Sequence, residues 1–237
     1  MDCYNKFANF YNRLIDCDYD KWSQFLIKKG CLGNGIDLAC GTGNITFRLA
    51  DAGCQMVGID LSPQMLMVAE GKKKNVKNPM FRCQDITAFS VTKQVDFVTC
   101  VCDGINYVKG VKEVEKVFAN VFASLKEGGK FVFDVSSEYK LKKVLGNNFF
   151  YEDHDDVTFF WTNQLKKDSV IMELAFFVKN GENYQRFDER HVQYIYSENV
   201  LTELLVSAGF KDVQTFADYQ NKQVAKDTQR VVFCATK

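Results

Sequence analysis

What this chain lacks narrows its function before any motif is considered. It has no excess of one charge: 30 Lys and Arg stand against 30 Asp and Glu. A nucleic-acid binder needs a basic surplus or patch, so that class is disfavoured. The one basic run of note, Lys72-Lys73-Lys74, falls where a helix should end and suits a solvated last turn. Histidine is scarce, with only His154 and His191, and none of the nine cysteines forms a Cys-x-x-Cys pair. Metal-ligand spacing is therefore absent. The cysteines, from Cys3 to Cys234, mostly flank apolar residues and suit small core side chains in a reducing cytosol rather than a disulfide scaffold. No apolar run approaches the roughly 18 residues of a membrane span. The first residues lack the basic-then-apolar pattern of a signal peptide. A cytoplasmic protein without membrane contact is expected. No internal repeat or low-complexity linker interrupts the chain.

What is present is a core-forming composition, 46% hydrophobic and 14% aromatic over 237 residues. Short apolar runs alternate with helical ones up to residue 135. Strands are expected at Gly35–Ala39, Gln55–Asp60, Met80–Gln84, Val95–Val101 and Lys130–Val135. Helices are expected at Asn44–Asp51, after the Ser62 cap with Pro63 in its first turn, and from Val111 to Leu125 with a stop at Glu127-Gly128-Gly129. Such alternation predicts a parallel sheet covered by helices on both faces. From Val157 to Tyr196 the pattern changes to three strand-like runs, with Asn180-Gly181 as a hairpin turn. Ser197 then caps a helix ending at Gly209, and strands near Val213–Phe216 and Arg230–Ala235 close the sheet.

The stretch "LACGTGNIT" (38–46) is a glycine turn directly after the first strand. A dinucleotide fingerprint beginning at Gly41 would place its third glycine at position 46, which is Thr, and no Gly-Lys-Ser/Thr of a phosphate loop follows. Asp37 sets a carboxylate where phosphate would be repelled and a cation welcomed. Asp60, ending the second strand, is placed to accept from ribose hydroxyls. Asp85, after the third, can accept from an adenine amino group while the Ile86 N–H faces a ring nitrogen. Each aspartate alone also fits a turn or capping carboxylate. Together they describe a ligand with adenosine, no phosphate and a cationic amino-acid tail: S-adenosylmethionine.

With these residues the chain resembles the class I S-adenosylmethionine-dependent methyltransferases, on "GIDLACGTGNIT" (35–46), "VGIDLSPQML" (57–66), "RCQDI" (82–86), "DFVTCVCDGINY" (96–107) and "LKEGGKFVFDV" (125–135). The resemblance implies an α/β, Rossmann-like, mostly parallel seven-stranded sheet of order 3-2-1-4-5-7-6 with an inserted antiparallel β cap. Residues 1–135 and 197–237 would form the cofactor-binding core, with 1–30 a helical lid, and 136–196 the cap forming the acceptor pocket. It implies Ala39, Gly41 and Gly43 against the methionine part and Asp37 near its ammonium. Asp60 would hold the ribose, with Met65, Gln84, Asp85 and Ile86 around adenine. Cys102 would lie near the transferable methyl and Tyr11 over the sulfonium. Ala39 stands where many members have glycine, and its methyl is small enough that no binding should be lost.

The acceptor is less defined. An amine needs only an apolar pocket that lowers its pKa, whereas a hydroxyl needs a positioned base. His191, on a strand face with Phe187 and Glu189, is the candidate catalytic residue; His154 suits an exposed acidic turn. Cap and lid look similar to aminosugar N-methyltransferases acting on nucleotide-linked sugars, where Arg186 or Arg190 would meet a diphosphate. The expected partner is a small-molecule acceptor, without nucleic acid or membrane, for a monomer or homodimer. The alternatives are a non-catalytic S-adenosylmethionine-binding sensor or regulator and, more distantly, an NAD-dependent oxidoreductase.

Overall fold

The computed structural model describes residues 8–14, 17–73 and 76–237. Cys3, Lys74 and part of the expected lid (1–7, 15–16) lie outside the described residues. Two short helices, α1 (Ala8–Leu14) and α2 (Tyr19–Lys28), precede the first sheet. Alternation then proceeds as β1 (Asn34–Leu38), α3 (Asn44–Asp51), β2 (Gln55–Asp60), α4 (Pro63–Gly71), β3 (Met80–Cys83), β4 (Val95–Cys100), α5 (Val111–Ser124) and β5 (Leu125–Ser136). Ser62 caps α4 by accepting from the Met65 N–H at 3.2 Å, with Pro63 in the first turn, where its missing N–H costs nothing.

Four strands, β6 (Phe149–Asp153), β7 (Val157–Leu165), β8 (Ser169–Asn180) and β9 (Asn183–Tyr194), form a separate antiparallel sheet. After them α6 (Glu198–Ser207), β10 (Lys211–Ala217) and β11 (Arg230–Thr236) return to the first sheet. Its order is β3-β2-β1-β4-β5-β11-β10. The inserted strands take the numbers six to nine, so the chain-wide order reads 3-2-1-4-5-11-10 where the family pattern reads 3-2-1-4-5-7-6. Strands β1 to β5 pair parallel, and β11 runs antiparallel to both β5 and β10.

Two expectations change. The inserted sheet has four strands rather than three, because "FFYED" precedes an acidic turn and carries no clean alternation. Glu127-Gly128-Gly129 does not end a helix. Helix α5 stops at Ser124, and the three residues form a bulge inside β5, where the register jumps from Val95↔Leu125 to Phe97↔Lys130. Gly128, at φ 76°, makes that excursion, and its N–H finds the Lys237 carbonyl at 3.1 Å.

Both faces of the parallel sheet are covered, which explains its unbroken apolar strands. Val114, Phe118 and Val121 of α5 pack with Leu201 and Leu205 of α6 on one side. Trp22 and Leu26 of α2 pack with Ile45 and Leu49 of α3 on the other. Because β1 pairs with β2 on one edge and β4 on the other, connections diverge there and open a crevice at the strands' C-terminal ends. The inserted sheet settles beside it through Val170 and Met172, which pack on Leu141 and Leu145 of a π-helical turn (Lys140–Leu145).

The close approach of β1 and β4 depends on Gly35. A Cβ there would sit 2.1 Å from the Phe97 ring, which is fully buried. Gly35→Ala should destabilise the protein by about 1–3 kcal/mol through overpacking, read as a lowered denaturant midpoint. An unchanged midpoint would contradict this packing.

Candidate active site

A cavity of about 520 Å³ opens at the crevice. The turn after β1 forms its floor. Ala39 and Gly41 both have positive φ, 51° and 55°, so the backbone turns sharply. No atom lies within 4 Å of the place where a Gly41 Cβ would be. Ala39 tolerates this conformation only beside a glycine: a Cβ on Gly104 would lie 2.9 Å from the Ala39 methyl and 2.8 Å from Cys100 Sγ.

Carboxylates define the chemistry. Asp37, 1% exposed, is held by two hydroxyls, Thr46 Oγ1 donating to Oδ2 at 2.6 Å and Thr99 Oγ1 to Oδ1 at 2.9 Å. Burial pushes its pKa up to about 6 against these hydrogen bonds. Asp60 accepts from the Gly41 N–H at 2.7 Å and the Ser62 N–H at 2.8 Å, and burial raises it too. Asp85 takes both Thr87 donors, N–H and hydroxyl, on Oδ1 at 2.8 Å. Among the described lining residues Lys109 is the one cation, against Asp37, Asp60, Asp85 and Glu113.

The remaining walls come from several elements. Met65, Ile86, Val101 and Val108 supply apolar surface, and Tyr11, Tyr19 and Tyr107 aromatic surface. Tyr11 places its hydroxyl 3.4 Å from Cys102 Sγ. Helix α1 is fastened to the floor by Asn12, whose Oδ1 accepts from Thr42 Oγ1 at 2.7 Å and Asn44 Nδ2 at 2.8 Å. Lys72 donates to the Thr42 carbonyl at 2.9 Å, and partial burial pulls its pKa down to about 8. Phe10, Tyr11 and Leu14 pack with Val157, Phe159, Phe176 and Phe187 of the inserted sheet.

Comparison with known proteins decides the family. A family model described as a methyltransferase domain matches residues 36–129. The Bacillus subtilis (strain 168) protein named "Putative methyltransferase YqeM" is 36% identical over 99% of this chain and 97% of its own length. The crystal structure of an S-adenosylmethionine-dependent methyltransferase from Clostridium acetobutylicum ATCC 824 is 40% identical, covers 98% of both chains and superposes with a TM-score of 0.90. The chain belongs to the S-adenosylmethionine-dependent methyltransferases. The fold is also that of the sugar N-methyltransferase KedS8 from Streptoalloteichus sp ATCC 53650, at 17% identity, TM-score 0.79, over 99% of this chain and 92% of that one.

The methyltransferase cavity fits its cofactor on its own residues. Open space over Gly41, an excess of carboxylates and an apolar wall suit a cationic ligand with a purine better than a phosphate. Of the residues expected at the site, Tyr11, Asp37, Ala39, Gly41, Asp60, Met65, Asp85, Ile86 and Cys102 line the cavity together. Three do not. Gly43 instead lets Phe81 and Phe47 close over the start of α3, where a Cβ would meet Phe81 at 2.9 Å. Gln84 turns its Oε1 to the Ser90 N–H at 3.4 Å. His191, 4% exposed, sits behind the wall with Nδ1 3.3 Å from the Tyr107 hydroxyl. Burial lowers its pKa to about 4, so it is neutral near pH 7.

Arg186 and Arg190 also depart from expectation. They lie on the outer face of β9, exposed, with Arg186 2.8 Å from Asp188 and Arg190 4.0 Å from Glu173. The period-2 alternation of a strand sends them away as it sends Glu189, His191 and Gln193 inward. Thr46, Thr99 and Tyr107 were missed. The lone hydroxyl inside "VDFVTCV" was the available signal for Thr99, whereas nothing in the sequence pairs Thr46 with Asp37.

A pH-dependent donor affinity is expected from the raised pKa of Asp37. Its folded pKa is raised, so below about pH 6 it is neutral and attracts a cation poorly. Donor affinity is expected to be full above pH 7 and to weaken as pH falls through 6. Unligated stability should move oppositely for this group, lost as pH rises through 6. Calorimetric titration with S-adenosylmethionine from pH 5 to 8 reads the step, and Asp37→Asn should remove it. A step persisting in that variant would contradict the assignment.

Proposed function

We propose that the enzyme transfers methyl to a nitrogen of a small molecule, with an amino sugar as the favoured class. The observation carrying this is a recessed cavity walled on one side by Tyr11 of α1, a helix that itself packs on the inserted sheet, which suits a small acceptor better than a polymer. Balanced charge supports the same choice. Nitrogen is favoured over oxygen because no histidine is among the described lining residues, and His191, off the lining, is a weak base with its pKa lowered to about 4 by burial. An amine in an apolar site needs little base, whereas a hydroxyl needs one in reach. The amino-sugar class rests on the resemblance of cap and lid, joined by a fold shared with the sugar N-methyltransferase KedS8.

In this reading Asp60 receives the ribose hydroxyls on lone pairs beyond those used by Gly41 and Ser62. Asp85 Oδ2 and the Ile86 N–H meet adenine, and Met65 packs on it. Asp37 faces the ammonium, while the Ala39–Gly41 backbone lets the amino-acid tail lie close. S-adenosylmethionine supplies, when bound, a methyl on a sulfonium that a nucleophile displaces in line. Around it the protein's contribution is chiefly positioning, which can supply several kcal/mol. Tyr11 and Cys102 keep water from the reacting end. Tyr107 presents its hydroxyl to the acceptor, and His191 fixes that hydroxyl's direction.

A thermal shift with S-adenosylmethionine and none with NAD is expected. Asp60→Ala should weaken S-adenosylhomocysteine binding by about 100-fold, the equivalent of two lost hydrogen bonds to a charged group. A variant that keeps full affinity would sink the ribose assignment. Incubation with amino-sugar and hydroxyl acceptor panels should release S-adenosylhomocysteine only with the amines. Release with hydroxyls alone would reverse the choice of atom, and release with none would leave a non-catalytic binder.

A further inference from the structure

Behind the cavity wall lies a buried cluster that the binding roles above leave unused. Asp134 of β5 is 0% exposed, and its carboxylate meets four donors. Oδ1 accepts from the Asp103 N–H at 2.7 Å and from the Arg230 guanidinium. Oδ2 accepts from the Cys102 N–H at 2.9 Å and from the Tyr219 hydroxyl. A carboxylate offers about four lone-pair sites, so this one is saturated.

Arg230, on β11, also donates to Asp103 Oδ1 at 3.0 Å, and Gln193, on β9, donates to Asp103 Oδ2. Burial alone would raise the Asp103 pKa, but Arg230, Lys140 and Gln193 outweigh it and hold the carboxyl below its usual range. The Arg230 guanidinium lies 4.9 Å over the Trp22 ring of α2, which stacks on Tyr219 at 4.7 Å. Core sheet, inserted sheet and N-terminal helix thus converge on two consecutive residues. Both of those, Cys102 and Asp103, have left-handed backbones, φ 61° and 55°. Side chains with a Cβ avoid that conformation, so the surroundings must impose it.

We propose that Asp134, Arg230 and Gln193 are positioning residues for methyl transfer. Asp134 and Arg230 lock the Cys102–Asp103 turn against the donor. Gln193 ties the inserted sheet to that same turn, which fixes where the sheet stands relative to the donor. None of the three lines the cavity; Cys102 and Gly104, on either side of Asp103, do. The proposal rests on the donor placement given above.

Calorimetric affinity for S-adenosylhomocysteine, measured together with the thermal midpoint, separates positioning from general stability. Asp134→Asn turns one acceptor oxygen into a donor facing other donors, and should weaken binding at least tenfold at temperatures well below its midpoint. Gln193→Leu and Tyr219→Phe each remove a single contact and should weaken it about threefold, so the test stands if the Asn variant does not fold. The control is Phe233→Leu, a fully buried ring stacked on Phe133 away from the cavity. It should lower the midpoint while keeping affinity within twofold of wild type. If all three cluster variants bind like that control, the positioning role is overturned. Wild-type protein that fails to bind S-adenosylhomocysteine would overturn the donor placement and this proposal with it.

Discussion

A carboxylate taken out of water costs several kcal/mol unless donors reach it, and this fold buries or half-buries carboxylates at the ends of three strands of its parallel sheet. Asp37 at β1, Asp60 at β2 and Asp134 at β5 each survive burial because hydroxyls or backbone N–H groups converge on them. The architecture follows from that requirement. A parallel sheet delivers every strand's C-terminal end to one edge, and the divergence of connections beside β1 leaves room there for a ligand. Two of the carboxylates, Asp37 and Asp60, line the cavity. The third faces inward and holds the backbone that borders the same space.

The division of labour also explains the unusual backbone. Ala39, Gly41, Cys102 and Asp103 all have positive φ, and all belong to the two turns that meet at the crevice. Glycine supplies this conformation readily at position 41. At 102 and 103 no glycine is present, and the N–H groups exposed by the turn are received by Asp134 instead. Breaking a buried ion-pair cluster by removing one partner typically costs about 3–5 kcal/mol, so Arg230 and its two aspartates stabilise the turn only as a set. Helix α1 is attached through Asn12, the Tyr11–Cys102 contact, an Arg13–Asp156 ion pair and an aromatic contact with the inserted sheet. Tyr11 of this helix lines the cavity, so these contacts hold that part of the wall in place.

Much of this was legible in the sequence because it is local. Apolar runs ending in Asp37, Asp60 and the "RCQDI" stretch mark strand ends directly, and Ser62-Pro63 and Ser197 mark helix starts by a mechanism that needs no tertiary context. Long-range pairing was not legible. Asp134 reads as one acid in an apolar strand, and its link to Arg230 spans 96 residues. His191 shows the opposite limit. A rare histidine among polar residues suggested a base, yet the strand alternation placed it on a buried face, against Tyr107 and off the described cavity lining. The fourth inserted strand escaped because β6 is an edge strand with exposed aromatics, Phe149 and Tyr151, and so has no apolar-in, polar-out signature.

The central claim is that the crevice carboxylates, and not a phosphate-binding loop, select the cofactor and orient its reactive end. A crystal structure with S-adenosylhomocysteine tests it most directly. The ribose hydroxyls are expected within about 2.6–3.2 Å of Asp60, with the purine between Met65 and Ile86 and the sulfur facing Tyr11 and Cys102. A ligand bound outside this cavity, or bound with Asp60 still contacting only Gly41 and Ser62, would contradict it.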